Sequence, residues 1–482
     1  MSLATAAPSS ATPATRPADR VPLRQKIAYG LGSSCDMWGH WLYPSMAYPV
    51  FNLYLGVPPH LIGIVLMVNR LADALSDPFF GWVSDNTRTR FGRRRPFILV
   101  GAFLAGLGLP VLFLASPTWS TTQLFLFMLS SALLYVPLMS CFNMPYQSLG
   151  AELTPDYNER TAVMSFKGAL QKVAELALYF ALPFTTLAWF TDPATGKQNT
   201  LLGAQVYCAG LGLLMIAIGV IIFFTVKERY YAHLVQQGQE KVKLRESFYE
   251  TLRCAPFRIQ LGMSLAFATG TSMVSALGYY ATVYVVCGGD SVSGNWWNAR
   301  MGIAYMAGGF LAAPAFAFLA RRLGKQRAAA IAIASGIAAF GGTWWLYTPA
   351  VPWLQVLASG GIGFASGGFW MLLPAMGADI MDYDELNTGK RREGAFSACG
   401  SWISKVGMSL GAGAAGFVLN LTGFDAALPV QSPDTILLIR VMLASIPVAG
   451  LTLAWVILLR YPLGVAQVED IRRQLEARRG TV

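Results

Sequence analysis

Apolar runs of about twenty residues recur along this chain from end to end, and a run of that length is what a helix needs to cross the hydrocarbon core of a bilayer. Such segments are expected near residues 27–55, 60–86, 96–117, 121–150, 161–189, 201–226, 258–287, 296–320, 327–348, 352–380, 394–421 and 434–460. A length of 482 residues would otherwise allow two or three soluble domains, but 54% hydrophobic and only 13% charged residues exclude that class. The expected fold class is therefore an all-α membrane protein, with about twelve transmembrane helices in two six-helix bundles. The longest polar stretch, 227–257, divides the chain into a bundle over 27–226 and a second over 258–460. Residues 1–26 are expected to form a flexible tail and 461–482 a second one, the first lacking the apolar core of a signal peptide.

The formal net charge of +11 raises the question of a nucleic-acid partner, and its distribution answers it. Roughly 29 of the 36 Lys and Arg fall in the two tails and in alternate loops, while the intervening loops hold Lys197 and Arg300. That asymmetry places both termini in the cytoplasm of a multi-pass cell inner-membrane protein; no nucleic-acid partner is implied. The six cysteines are scattered, with no CxxC pair and no His at metal spacing, and read as packing residues.

Charges inside the apolar segments carry the functional information, because each costs roughly 2.5–3.5 kcal/mol at the bilayer centre on the mildest scale. In LADALSDPFFGWVSDNTRTRFGRRRP, Asp73 and Asp77 lie four apart, on one helical face, ahead of a loop with five arginines. A pair of structural salt bridges is one reading of them; a cation or proton site in a transporter is the other. In the first segment Asp36 and His40 are also four apart, and His40 reads more readily as a satisfied interior histidine than as a proton relay. Ser140, Asn143, Tyr146 and Gln147 make a polar stripe in the fourth segment. Lys167, Gln171 and Glu175 make another in the fifth, able to pair with the acids of the first two. Lys405 is an isolated cation whose burial is eased if it faces the Asp73/Asp77 surface, and Arg70 is counted with it as a balancing charge. Arg440 is close enough to an interface to snorkel. A basic segment after the eighth run, FLARRLGKQRAAA, echoes the one after the second, as two parallel halves would.

With these residues in view the chain resembles the glycoside–pentoside–hexuronide:cation symporters of the major facilitator superfamily, the family of the melibiose permease. DALSDPFFGWVSDNTRTRFGRRRPF, NMPYQSLGAELTPDYNERT, ADIMDYDELNTGKRREG and Lys405 carry the resemblance. It implies two six-helix bundles of the major facilitator fold. It also implies a coupling-cation site at Asp73 and Asp77, with oxygen ligands sought at Ser76 and Ser140. The two acids count as metal ligands only if Na+ is the coupling ion. A sugar pocket is implied at Asp36, Asn143, Gln147, Lys167, Gln171 and Trp370. Asn143 and Gln147 stand where the permease has an aspartate and a tryptophan, and Ser76 replaces an asparagine. Those changes leave the sugar open and favour H+ over Na+.

The expected function is symport of a sugar or glycoside with H+ or Na+ by alternating access. A carrier of a lipid-like solute and a non-transporting membrane sensor are the competing readings. No catalytic constellation recurs, so an enzyme is not expected. Nor is a cofactor, beyond the coupling ion. The expected partners are a small sugar, a monovalent cation and the bilayer, with the chain a monomer.

Overall fold

The structure, a computed structural model, describes residues 20–154, 157–191, 198–228, 251–389, 393–428 and 430–479. Most of the expected 1–26 tail and of the 227–257 loop lies outside the described residues. The first six long helices are α1 (Leu23–Ala47), α2 (Pro59–Asn86), α3 (Arg95–Val111), α4 (Thr121–Glu152), α5 (Tyr157–Thr185) and α6 (Thr200–Thr225). Next come α7 (Ala255–Ser272), α8 (Ser291–Leu323), α9 (Lys325–Leu346), α10 (Leu354–Thr388), α11 (Glu393–Leu421) and α12 (Pro433–Leu458). These match the segments expected from the apolar runs.

Polar groups set the helix ends where the apolar pattern alone could not. Ser120 caps α4 through the Gln123 amide while the Gln123 side chain accepts from the Ser120 amide, so two orphan donors are satisfied reciprocally. Asp290 caps α8, and its bonds from the Ser293 hydroxyl and from the Val292 and Ser293 amides hold its carboxyl below the usual carboxylate range. The basic segments after α2 and α8 are tied down by acids. Arg93 and Arg94 pair with Glu152 at 2.5 and 3.0 Å, and the Glu228 carboxylate accepts from the backbone amides of Arg93, Arg94 and Arg95 at the start of α3. In the second half Lys325 donates to both oxygens of Asp379 at 2.7 Å.

Two boundaries differ from expectation. Helix α1 starts within the presumed tail, where Lys26 pairs with Glu159 at 2.7 Å and the Val21 amide bonds the same carboxylate. The presumed C-terminal tail contains a further helix, α13 (Val465–Arg479), because Val468, Ile471 and Leu475 fall on one face and pack Ile471 and Leu475 into the protein.

The principal helix pairings recur six helices later. α2 with α4 is repeated by α8 with α10, α3 with α6 by α9 with α12, and α1 with α5 by α7 with α11. Even the two seams between bundles obey the rule, α2 against α11 and α8 against α5. A π-helical turn, Tyr48–Tyr54, follows α1 directly, and another, Ala281–Val286, follows the short helix Ser275–Tyr280 that succeeds α7. Two copies of one helical unit, related by an axis along the membrane normal, account for this pattern.

On the side of the membrane opposite the termini the bundles meet closely. A Cβ at Gly63 of α2 would stand 2.5 Å from the Gly413 carbonyl oxygen of α11, and one at Gly416 would strike the Pro59 carbonyl. Tyr280 donates to Asn52 at 2.5 Å across the same seam, and Ser409 to the Met67 carbonyl at 2.9 Å. Within the second bundle, Gly363 of α10 touches the Tyr305 carbonyl of α8 with no room for a side chain. Replacing it should overpack that contact by about 1–3 kcal/mol. Gly363→Leu is expected to lower the apparent melting temperature in detergent, and Gly210→Leu, at a position with open space around it, is expected not to.

Candidate functional site

Among the described residues, eight helices are long and apolar enough to span a membrane on composition alone, and α3 is a shorter apolar helix. Those that fall short, α1, α2 and α5, hold Asp36, Asp73, Asp77, Lys167 and Glu175, while Lys405 lies on the apolar α11. Asp73 and Asp77 are 2% and 7% exposed, one turn apart on α2. Lys405 of α11 reaches between them: its ammonium donates to Asp73 Oδ2 at 2.9 Å and to Asp77 Oδ2. The ion pair thus crosses from one bundle to the other, as the isolated lysine suggested. The other oxygens of the two carboxylates are poorly satisfied: Asp77 Oδ1 is buried with no hydrogen bond of good geometry, and Asp73 Oδ1 has only the His40 ring nitrogen at 3.4 Å. Buried acceptors of that kind are costly unless another group binds there.

A line of polar contacts runs from this pair into the first bundle. Asp73 Oδ1 lies 3.4 Å from His40 Nε2, and His40 Nδ1 lies 2.9 Å from Asp36 Oδ1 and 3.0 Å from the Asp36 carbonyl. The Gln147 amide donates to Asp36 Oδ2 at 3.4 Å and to Asn143 Oδ1 at 3.1 Å, and its carbonyl accepts from Lys167 at 2.5 Å. Lys167 also stands 5.4 Å from the centre of the Tyr146 ring, which stacks on Tyr29. Four helices of the first bundle and one of the second therefore share a single electrostatic chain: Lys167, Gln147, Asp36, His40, Asp73, Lys405 and Asp77.

His40 is the residue that sequence reasoning undervalued. Its spacing from Asp36 was the available signal; what could not be read was that α2 brings Asp73 to the other face of the ring. An imidazole with a carboxylate at each nitrogen donates to both only when doubly protonated.

Other expected residues take different places. Arg70 donates to the His40 carbonyl at 3.0 Å and stacks on Trp41 at 4.4 Å, so it fastens α2 to α1 next to the acids instead of pairing with one of them. Ser76 and Ser140 share a 2.6 Å bond that joins α2 to α4. The α5 stripe does not pair with the acids of α1 and α2 as a unit. Glu175 accepts from Lys172 and Tyr179 at 2.7 Å each, and Lys167 reaches Asp36 through Gln147. Eight residues of helix separate Lys167 from Glu175 by about 12 Å, too far for both to meet one cluster. Gln171 lies half-buried between them. Trp370 belongs to the second bundle and sits edge-on to Phe267 and Phe369, which stack on each other at 3.8 Å.

Residues 32–465 match the family model described as MFS/sugar transport protein. The chain is 26% identical to the putative glycoside/cation symporter YagG of Escherichia coli strain K12, over 95% of each protein. It is 26% identical to the isoprimeverose transporter of Lactiplantibacillus pentosus, over 94% of this chain and 92% of that one. Among solved structures it superposes on the nucleoside transporter NupG with a TM-score of 0.63 at 15% identity, covering 91% of this chain and 99% of that one.

Removing Lys405 would leave two buried carboxylates facing each other without their cation, and breaking a buried pair in this way costs about 3–5 kcal/mol. Lys405→Ala is expected to lower the apparent melting temperature and the yield of folded protein. Adding Asp77→Asn to that variant should restore much of the loss. Equal stability of the single and double variants would mean that the three groups are not coupled.

Proposed function

The chain belongs to the MFS/sugar transport protein family, and from that premise we propose that it imports a sugar or glycoside across the inner membrane in symport with H+ or Na+. The carrying observation is the unbroken polar chain that links Asp36, in the first bundle's interior, to an ion pair spanning the seam between bundles. The related putative glycoside/cation symporter and isoprimeverose transporter support the substrate class.

Asp73 and Asp77 receive the coupling ion at the carboxylate oxygens that Lys405 does not hold. Asp36, Asn143, Gln147 and Lys167 supply hydrogen bonds to sugar hydroxyls, with Gln171 beside them and Trp370 offering a face to the ring across the cavity. When the ion arrives, the charge that Lys405 must balance falls by one, and the clamp between α2 and α11 weakens. When sugar engages Asp36 and Gln147, His40 is released from one of its two carboxylates, which alters the surroundings of Asp73. Each ligand therefore changes the binding of the other, as coupling requires. H+ is favoured over Na+, because sodium wants about five or six oxygens, whereas two carboxylates one turn apart can share one proton. With the termini in the cytoplasm, the closed seam at Gly63, Gly413 and Gly416 is the periplasmic one, and the arrangement faces inward.

The test uses purified protein in liposomes with a panel of glycosides. Asp73→Asn and Asp77→Asn are each expected to bring accumulation down to the equilibrium level while keeping part of the counterflow, since the ion supplies only the bias between states. Accumulation against a gradient by both variants would overturn the ion site. Uptake that follows an imposed sodium gradient at constant pH, and ignores a pH gradient, would reverse the choice of ion.

A further inference from the structure

A second site lies far from the polar chain, in the groove between the first turns of α8 and α10. There Trp297, Arg300 and Ile303 of α8 face Trp353 and Val356 of α10 around an open cavity of about 380 Å³. Arg300 is exposed and stacked on Trp297 at 4.5 Å, and among the described residues no carboxylate pairs with it. Its depth can be fixed by counting. The next charges along α8 are Arg321 and Arg322, and the intervening twenty residues carry none, a rise of about 30 Å at 1.5 Å per residue, which equals the hydrocarbon thickness. Arg321 and Arg322 therefore mark one headgroup layer and Arg300 the other, in the leaflet opposite the termini. Trp353, 59% exposed at the same end of α10, and Trp345 at the end of α9 fit the aromatic belt expected at that level.

We propose that this groove binds one anionic phospholipid of that leaflet, with the phosphate on Arg300 and the start of an acyl chain against Ile303, Val356 and Trp353. An uncompensated cation at this edge is unusual in the chain, since the loops on that side otherwise carry only Lys197. A guanidinium held over a tryptophan ring still has N–H groups to offer a phosphate oxygen. The cavity is within the usual range for small-molecule pockets of about 300–1,000 Å³, and Ile303 and Val356 lie about one turn deeper than Arg300 and Trp353, where methylene groups would be.

The test is native mass spectrometry of the full-length protein, delipidated and then incubated with equal amounts of phosphatidylglycerol and phosphatidylcholine. Wild type should retain one phosphatidylglycerol in preference to phosphatidylcholine. Arg300→Gln should cut that retention about fivefold, the factor given by ~1 kcal/mol per basic residue near an anionic headgroup, Arg300→Lys should keep most of it, and Trp353→Ala should weaken both lipids alike. Apparent melting temperature measured on the same samples identifies any variant that fails to fold. Equal retention of the two lipids by wild type, or unchanged retention by a folded Arg300→Gln, would overturn the proposal.

Discussion

Two buried carboxylates and one half-buried ammonium at one seam set the terms for the rest of this molecule. Two carboxylates on one turn of α2 cannot remain in a low-dielectric interior without a cation, and α2 has none placed to serve. Arg70, one turn earlier, is committed to α1 through the His40 carbonyl and Trp41. The balancing charge comes from α11, in the other half of the chain. Electroneutrality is thus achieved between bundles and not within one, so the relative position of the bundles and the charge on the two aspartates are a single variable. An ion that neutralises an aspartate acts on the whole architecture because the counter-charge belongs to the opposite half.

Much of this was legible in the residues. Helix number and placement followed from the apolar runs, and the meeting of Lys405 with Asp73 and Asp77 followed from the cost of leaving either unpaired. Contacts that depend on rotation of one helix about its axis were not legible. Asp36 and His40 share a face of α1 by spacing alone, but which residue of α2 would stand at the other ring nitrogen is fixed by the angle at which α1 and α2 pack. The α5 stripe failed for a related reason. A row of polar residues at helical spacing points in one direction, yet its ends lie more than two turns apart, so only Lys167 comes near the cluster and Glu175 finds partners on its own helix. The C-terminal helix α13 was missed because its apolar face is short and sits among arginines, and a sparse stripe becomes a helix only where a surface waits to receive it.

The internal repetition has a physical basis too. Each half builds the same pairings from different residues: the seam of α2 with α11 and the seam of α8 with α5 occupy equivalent places, but among the described residues only the first is crossed by an ion pair. In the second, Tyr179 of α5 lies against Gly302 of α8, an aromatic ring on a backbone. Equivalent geometry thus carries unequal chemistry, an ion pair at one seam and an aromatic ring on backbone at the other.

The glycine contacts between α2 and α11 bear on the speed of the cycle. Where Gly63 meets Gly413 and Gly416, backbone lies directly on backbone, and the side chains at the contact are few, Met67 against Gly413 and His60 beside Phe417. Separating them forfeits dispersion at about 0.1–0.2 kcal/mol per atom pair and, at Asn52 and Tyr280, one hydrogen bond with a net contribution of about 0.5–1.5 kcal/mol. Losses that small and that evenly spread along the helix accumulate gradually as the gap widens. The face of the protein opposite the termini can therefore open like two smooth plates drawn apart, with friction concentrated at one charged pivot, where Lys405 holds Asp73 and Asp77.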